Sequence, residues 1–94
     1  MRVRIRIHAG PVDVDEVISG KDEAELAKRF RKEVEKRAPL AARLAMKALS
    51  DHAFWEQVVK LHNKKAATPE PFPRSAGELL AFGERAGYVT RLTE

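Results

Sequence analysis

Arg2-Val3-Arg4-Ile5-Arg6-Ile7 alternates cation and β-branched residue without a break, and Val12-Asp13-Val14-Asp15 answers it with alternating acid. Side chains on a strand point to opposite faces in turn, so the two runs predict an antiparallel hairpin, apolar on one side and charged on the other. With Ile7 opposite Val12, Ile5 meets Val14, Arg6 meets Asp13 and Arg4 meets Asp15. His8-Ala9-Gly10-Pro11 supplies the tight turn. On this register Glu16 would face the core opposite Val3, so a bulge near Asp15–Glu16 is expected to return Val17 to the apolar face. The Arg2/Arg4/Arg6 stripe then finds acid inside the protein, and the expectation is an ion-pair ladder. Its alternative is a strip that meets an acidic ligand or partner.

Downstream the period changes from two to that of a helix. Asp22 with Glu25 has capping-box spacing, and Leu26, Ala27, Phe30 and Val34 form one narrow apolar stripe. A helix over about 23–37 therefore lies on the hairpin, its back laced by Glu25–Arg29, Arg29–Glu33, Arg31–Glu35 and Glu33–Arg37 pairs. Pro39 stops or kinks it and suits the first turn of the next helix, the alanine-rich stretch from Leu40 to Ala48. Small residues at that density let another helix approach closely, in the same chain or in a partner. Ser50-Asp51 caps a third helix running from His52 to about Lys65. Three prolines in Thr68–Arg74 make an extended connector inside the domain. Ser75 with Glu78 opens a last helix to Ala86, with Gly87 as its stop. Tyr88–Leu92 has strand character and is placed to widen the hairpin.

The fold class expected is thus α+β: one small domain over residues 1–94, an N-terminal hairpin with three or four helices on its apolar face. Val3, Ile5, Ile7, Val12, Val14, Leu26, Phe30, Val34, Leu44, Val58, Leu61 and Leu79 are the expected core. A chain of 94 residues buries only about 60–65% of its unfolded surface, so dimerisation would stabilise it.

Composition narrows function mainly by exclusion. No apolar run approaches a membrane span, and the charged first strand is not a signal peptide. The absence of cysteine removes disulfides and thiolate chemistry and fits the cytoplasm. One Asn, one Gln and dense opposite charges suggest a thermophilic bacterial source. The net charge is +4, with its surplus along 39–67, where five basic residues meet two acidic ones.

Gly20-Lys21 does not make a phosphate loop, because Asp15 stands where the earlier glycine is required and Asp22 follows the lysine. No histidine pair has metal-binding helical spacing, so no metal and no cofactor is expected. Ser19, Ser50 and Ser75 all precede helices, where capping is their usual role. None of the catalytic spacings is present, and the reading favours binding over catalysis. Phe54, Trp55, Val59 and Phe72 are the candidate protein-contact residues, since aromatic anchors carry much of an interface's energy. The favoured function is a non-catalytic binding or regulatory module acting through protein–protein contacts, self-associating as a homodimer. The alternative is a sequence-tolerant nucleic-acid binder using Arg43, Lys47, Lys60, Lys64 and Lys65 on phosphates.

Overall fold

A computed structural model of the chain describes residues 1–9 and 12–92; Gly10 and Pro11 in the expected turn, and Thr93 and Glu94, lie outside the described residues. The order is β1 (Arg2–Ala9), β2 (Val12–Ser19), α1 (Glu23–Arg37), α2 (Leu40–Lys47), α3 (Asp51–Asn63), α4 (Ala76–Ala86) and β3 (Val89–Arg91). The three strands form one antiparallel sheet ordered β2-β1-β3, so the first strand is central and the chain's end supplies the third. The helices cover one face of it, which makes the fold α+β in two layers.

The hairpin register differs from the expected one by two residues. Ile7 stands opposite Val14, Arg6 opposite Asp15 and Val3 opposite Ile18, with pairing continuous from Arg2↔Ser19 to Ala9↔Val12. A two-residue slip keeps every side chain on its face, so hydrophobic alternation alone does not distinguish the two registers. The observed one forms eight pairs and brings Ile18 into the core beside Val3. No bulge is needed: Val17 stays on the open face, and Glu16 lies on the helix-covered face opposite Ile5. That carboxylate is tolerated because β2 is an edge strand and Arg37 of α1 reaches it at 2.5 Å.

Each helix starts and stops where local chemistry dictates. Asp22 accepts from the Glu25 amide at 2.9 Å, Ser50 from Ala53 at 3.2 Å and Ser75 from Glu78 at 3.2 Å. Gly87 ends α4 with φ 86°, and the Tyr88 amide closes back on the Gly83 carbonyl at 2.8 Å. Gly83 also permits contact between layers, because a Cβ there would sit 2.5 Å from the Val89 side chain.

The core gathers Val3, Ile5, Ile7, Val14 and Ile18 from the hairpin with Leu26, Ala27, Phe30 and Val34 of α1. Phe54, Trp55 and Val59 of α3, Leu79, Leu80 and Phe82 of α4, and Val89 complete it. Val12 and Val58 are only partly buried. Leu44 and Leu61, expected inside, are 61% and 55% exposed. On α3 the buried stripe is the neighbouring one, Trp55–Val59 with Phe54, which turns Leu61 to the solvent side.

Candidate interaction surface

Helix α2 is the element that does not obey the usual rule. It buries no residue fully, and its leucines face water, Leu40 at 68% and Leu44 at 61% exposed. At helical spacing Leu40, Leu44 and Ala48 form a single ridge, flanked by exposed Ala41 and Ala45 on one side and exposed Lys47 on the other. The residues that turn inward, Ala42, Arg43, Met46 and Leu49, are half-buried.

Two arginines hold this orientation. Arg43 donates from Nε to the Glu35 carbonyl at 3.0 Å, and from Nη2 to the carbonyls of Ala38 at 3.2 Å and Lys36 at 3.3 Å. It thereby satisfies the orphan acceptors at the end of α1 and ties α2 to that end. Arg31, 14% exposed, clasps the other end of α2. Its Nη2 donates to the carbonyls of Met46 at 2.7 Å and Leu49 at 2.8 Å, while Nε and Nη1 reach Glu35 at 3.0 Å and Asp51 at 2.9 Å. The same guanidinium lies 5.0 Å from the centre of the Phe54 ring. With these bonds made and with Met46 and Leu49 packed against the core, α2 presents the leucine ridge outward. Sequence spacing identifies Arg31 only as an i,i+4 partner of Glu35. Nothing local in the sequence marks its carbonyl contacts, which arise from the α2–α3 corner.

The other candidate residues are dispersed. Phe54, Trp55 and Val59 are buried in the core, so in this chain they serve packing and are not presented to a partner. Phe72 is exposed on the proline connector, beside an open depression shared with His52, Glu56, Arg74 and Glu78. Arg43 is spent on α1's carbonyls, whereas Lys47, Lys60, Lys64 and Lys65 are exposed. All eight lysines of the chain are exposed and none forms an ion pair among the described residues. The ion pairs from side chains other than histidine are made by arginine: Arg4, Arg29, Arg31, Arg37, Arg85 and Arg91. Arginine's planar fork suits fixed geometry, while lysine is a strongly hydrated point charge.

On the open face of the sheet the ladder is uneven. Arg4 forks onto Asp15 at 2.9 and 3.0 Å, diagonally across the register, and those bonds hold the Asp15 carboxyl below its usual range. Arg6 stands directly opposite Asp15 but makes no hydrogen bond or ion pair with it, and Asp13 faces His8, 3.5 Å away. Thus one of the two expected Arg–Asp pairs forms, Arg4–Asp15, and Arg6–Asp13 does not.

His8 and His62 stand apart from one another, in different surroundings. His8 and Asp13 are both highly exposed. His62 shares a 2.9 Å hydrogen bond with the Tyr88 hydroxyl and packs edge-on against Phe82. The apolar space below it, lined by Phe30, Val58, Leu79 and Gly83 among others, has room for about one water. Among the described residues no three His, Asp or Glu side chains gather as metal ligands, and no helix is long and apolar enough to cross a membrane.

No protein-family model, curated protein or solved structure matches this chain.

Proposed function

We propose that the chain is a non-catalytic binding module that works through protein–protein contact, with the Leu40/Leu44/Ala48 ridge of α2 as its docking face. The occupant is an apolar helix face of a protein partner, for which the small flanks Ala41 and Ala45 leave room for close approach. One observation carries this reading: α2 packs Met46 against the core and leaves both of its leucines turned to water. Hydrophobic residues scattered singly on a surface need no explanation, but two leucines on one pinned ridge do. The cysteine-free composition supports a cytoplasmic setting.

Replacing both leucines by lysine tests it. The L40K/L44K variant is expected to keep its helix content and its melting temperature in dilute solution. It should lose protein association, whether self-association or a nuclease-resistant complex from the native host. Association that survives the double change, or a variant that unfolds when dilute, would overturn the reading.

The eight lysines, none of them ion-paired among the described residues, favour a second reading, electrostatic binding of nucleic-acid phosphates. Such binding weakens steeply with salt and is lost when Lys60, Lys64 and Lys65 become Ala. No retardation of DNA or RNA at ~50 mM salt, where phosphate contacts act strongly, would dismiss it.

A further inference from the structure

Every residue from 68 to 73 is a proline or stands directly before one. The ring fixes φ in the first kind, and crowding by that ring pushes the second kind into the extended region. Neither helix nor strand forms here. Burial instead repeats every three residues, the period of a polyproline II helix. Glu70 is half-buried and Pro73 buried, whereas Pro69, Pro71, Phe72 and Arg74 are exposed. Residues 70 and 73 thus make an inner edge, and two outer edges pair Pro69 with Phe72 and Pro71 with Arg74. Going beyond the reading of α2, we infer that this connector is a preformed polyproline ligand whose partner is a protein domain with an aromatic-lined groove.

The segment is ordered before any partner arrives. Asn63 grips Glu70 by both backbone groups, its Nδ2 donating to the carbonyl at 3.0 Å and its Oδ1 accepting from the amide at 2.9 Å. Arg85 holds the Glu70 carboxylate at 2.8 and 3.1 Å. At the far end the Arg74 amide donates to Glu78 Oε1 at 3.4 Å, and the Arg74 carbonyl lies 3.4 Å from His52 Nε2. All these bonds use the inner edge or the backbone, so both outer edges stay uncovered. A ligand already fixed in its bound shape loses little further freedom on docking.

The outer edges match the chemistry of such a groove. Aromatic side chains that read polyproline pack against its rings, and donors among them bond to its solvated carbonyls. Phe72 is 43% exposed and continues the apolar surface of Pro69 and Pro71. The carbonyls of Pro69, Pro71 and Phe72 make no hydrogen bond among the described residues. Beside them the depression of about 830 Å³, with Pro71 and Pro73 in its wall, has room for an aromatic side chain from the groove's rim. Arg74 forms no ion pair among the described residues, although Glu56 and Glu78 border the same depression. Its guanidinium marks one end of the ligand and sets the direction in which a partner's carboxylate meets it.

So short a ligand buries far less than a standard interface, which makes the contact transient and best read by titration. The probe is a panel of purified Src-homology-3 and WW domains, added to the isotope-labelled native chain while its amide resonances are followed. At least one domain should move the signals of Glu70, Phe72 and Arg74 and leave those of 40–47 in place. Phe72→Ala and Pro71→Ala should each weaken that binding on the order of tenfold, as loss of a central contact does, with the melting temperature unchanged. Asn63→Ala leaves both outer edges intact but frees the connector, and should weaken binding by a smaller factor while amide exchange at Glu70 quickens. L40K/L44K should bind the same domain as tightly as the native chain. A panel that moves none of these signals, or binding indifferent to both Phe72→Ala and Pro71→Ala, would overturn the inference and leave the reading of α2 standing. Loss of the domain on L40K/L44K would overturn it too, by placing the contact at α2.

Discussion

α1 and α2 adjoin one another through Pro39, yet α1 buries its apolar stripe fully while α2 buries no residue fully. α1 turns Leu26, Phe30 and Val34 onto the sheet and leaves its charges outside. α2 turns Arg43 and Met46 inward and leaves Leu40 and Leu44 outside. Helix orientation here is set by apolar burial in one case and by burial joined to carbonyl hydrogen bonds in the other. Burial of apolar area against the hairpin orients α1. Hydrogen bonds from Arg31 and Arg43 to otherwise unsatisfied carbonyls, together with the packing of Met46 and Leu49 on the core, orient α2 and leave its leucines outside.

The contrast breaks most visibly at its apolar positions. Phe30→Ala should cost about 3–5 kcal/mol, since a buried ring is lost and a cavity remains. Leu44→Ala should change the stability of the monomer by no more than about 0.5 kcal/mol, as an exposed site does. Denaturant titrations of the two variants in dilute solution check both. A loss of several kcal/mol for Leu44→Ala would mean that the ridge belongs to the fold.

A smaller effect is expected at the clasp. Arg31→Met should cost about 2–3 kcal/mol, because charged hydrogen bonds are lost and the Met46 and Leu49 carbonyls are left without their donor. Hydrogen exchange should then quicken across 40–47 ahead of 23–37. Uniform quickening of both helices would show that α2 is not held separately.

These expectations sit where sequence was least informative. The hairpin, the helix over 23–37, the caps at Asp22, Ser50 and Ser75, and the stop at Gly87 follow from local period and local hydrogen bonding, and the structure has them all. Register was not legible, because slipping by two residues preserves every face; what selects it is Ile18 reaching Val3 and Arg37 reaching Glu16, both remote contacts. Nor was the outward turn of Leu44. Amphipathic period shows that a helix has two faces, and it assumes that the apolar one is inside. The Arg31 clasp, 15 and 18 residues away in sequence from its acceptors, and the Arg43 bonds to the end of α1 set which side of α2 faces in. Phe54 and Trp55 fit either a core or a contact surface by residue type alone, and they complete the core.

The smallest effect expected lies on the open sheet face. Arg4→Ala should lower stability slightly at neutral pH, while Arg6→Ala, which removes no ion pair, should leave it unchanged. Asp15 has a depressed carboxyl pKa, through the Arg4 hydrogen bond first, so its contribution is present above the ordinary value of 3.8 and is lost as pH falls through the lower folded value. Thermal melts of the native chain and Arg4→Ala should therefore differ at pH 6 and converge in acid. Curves that stay apart well below that range would assign Arg4 another partner.

The most direct test compares the unfolding midpoint of the native chain with that of Leu44→Lys in dilute solution. An exposed position outside the core tolerates the charge, so the two midpoints should agree. A Leu44→Lys midpoint well below the native one would contradict an α2 whose leucines are spare to the fold.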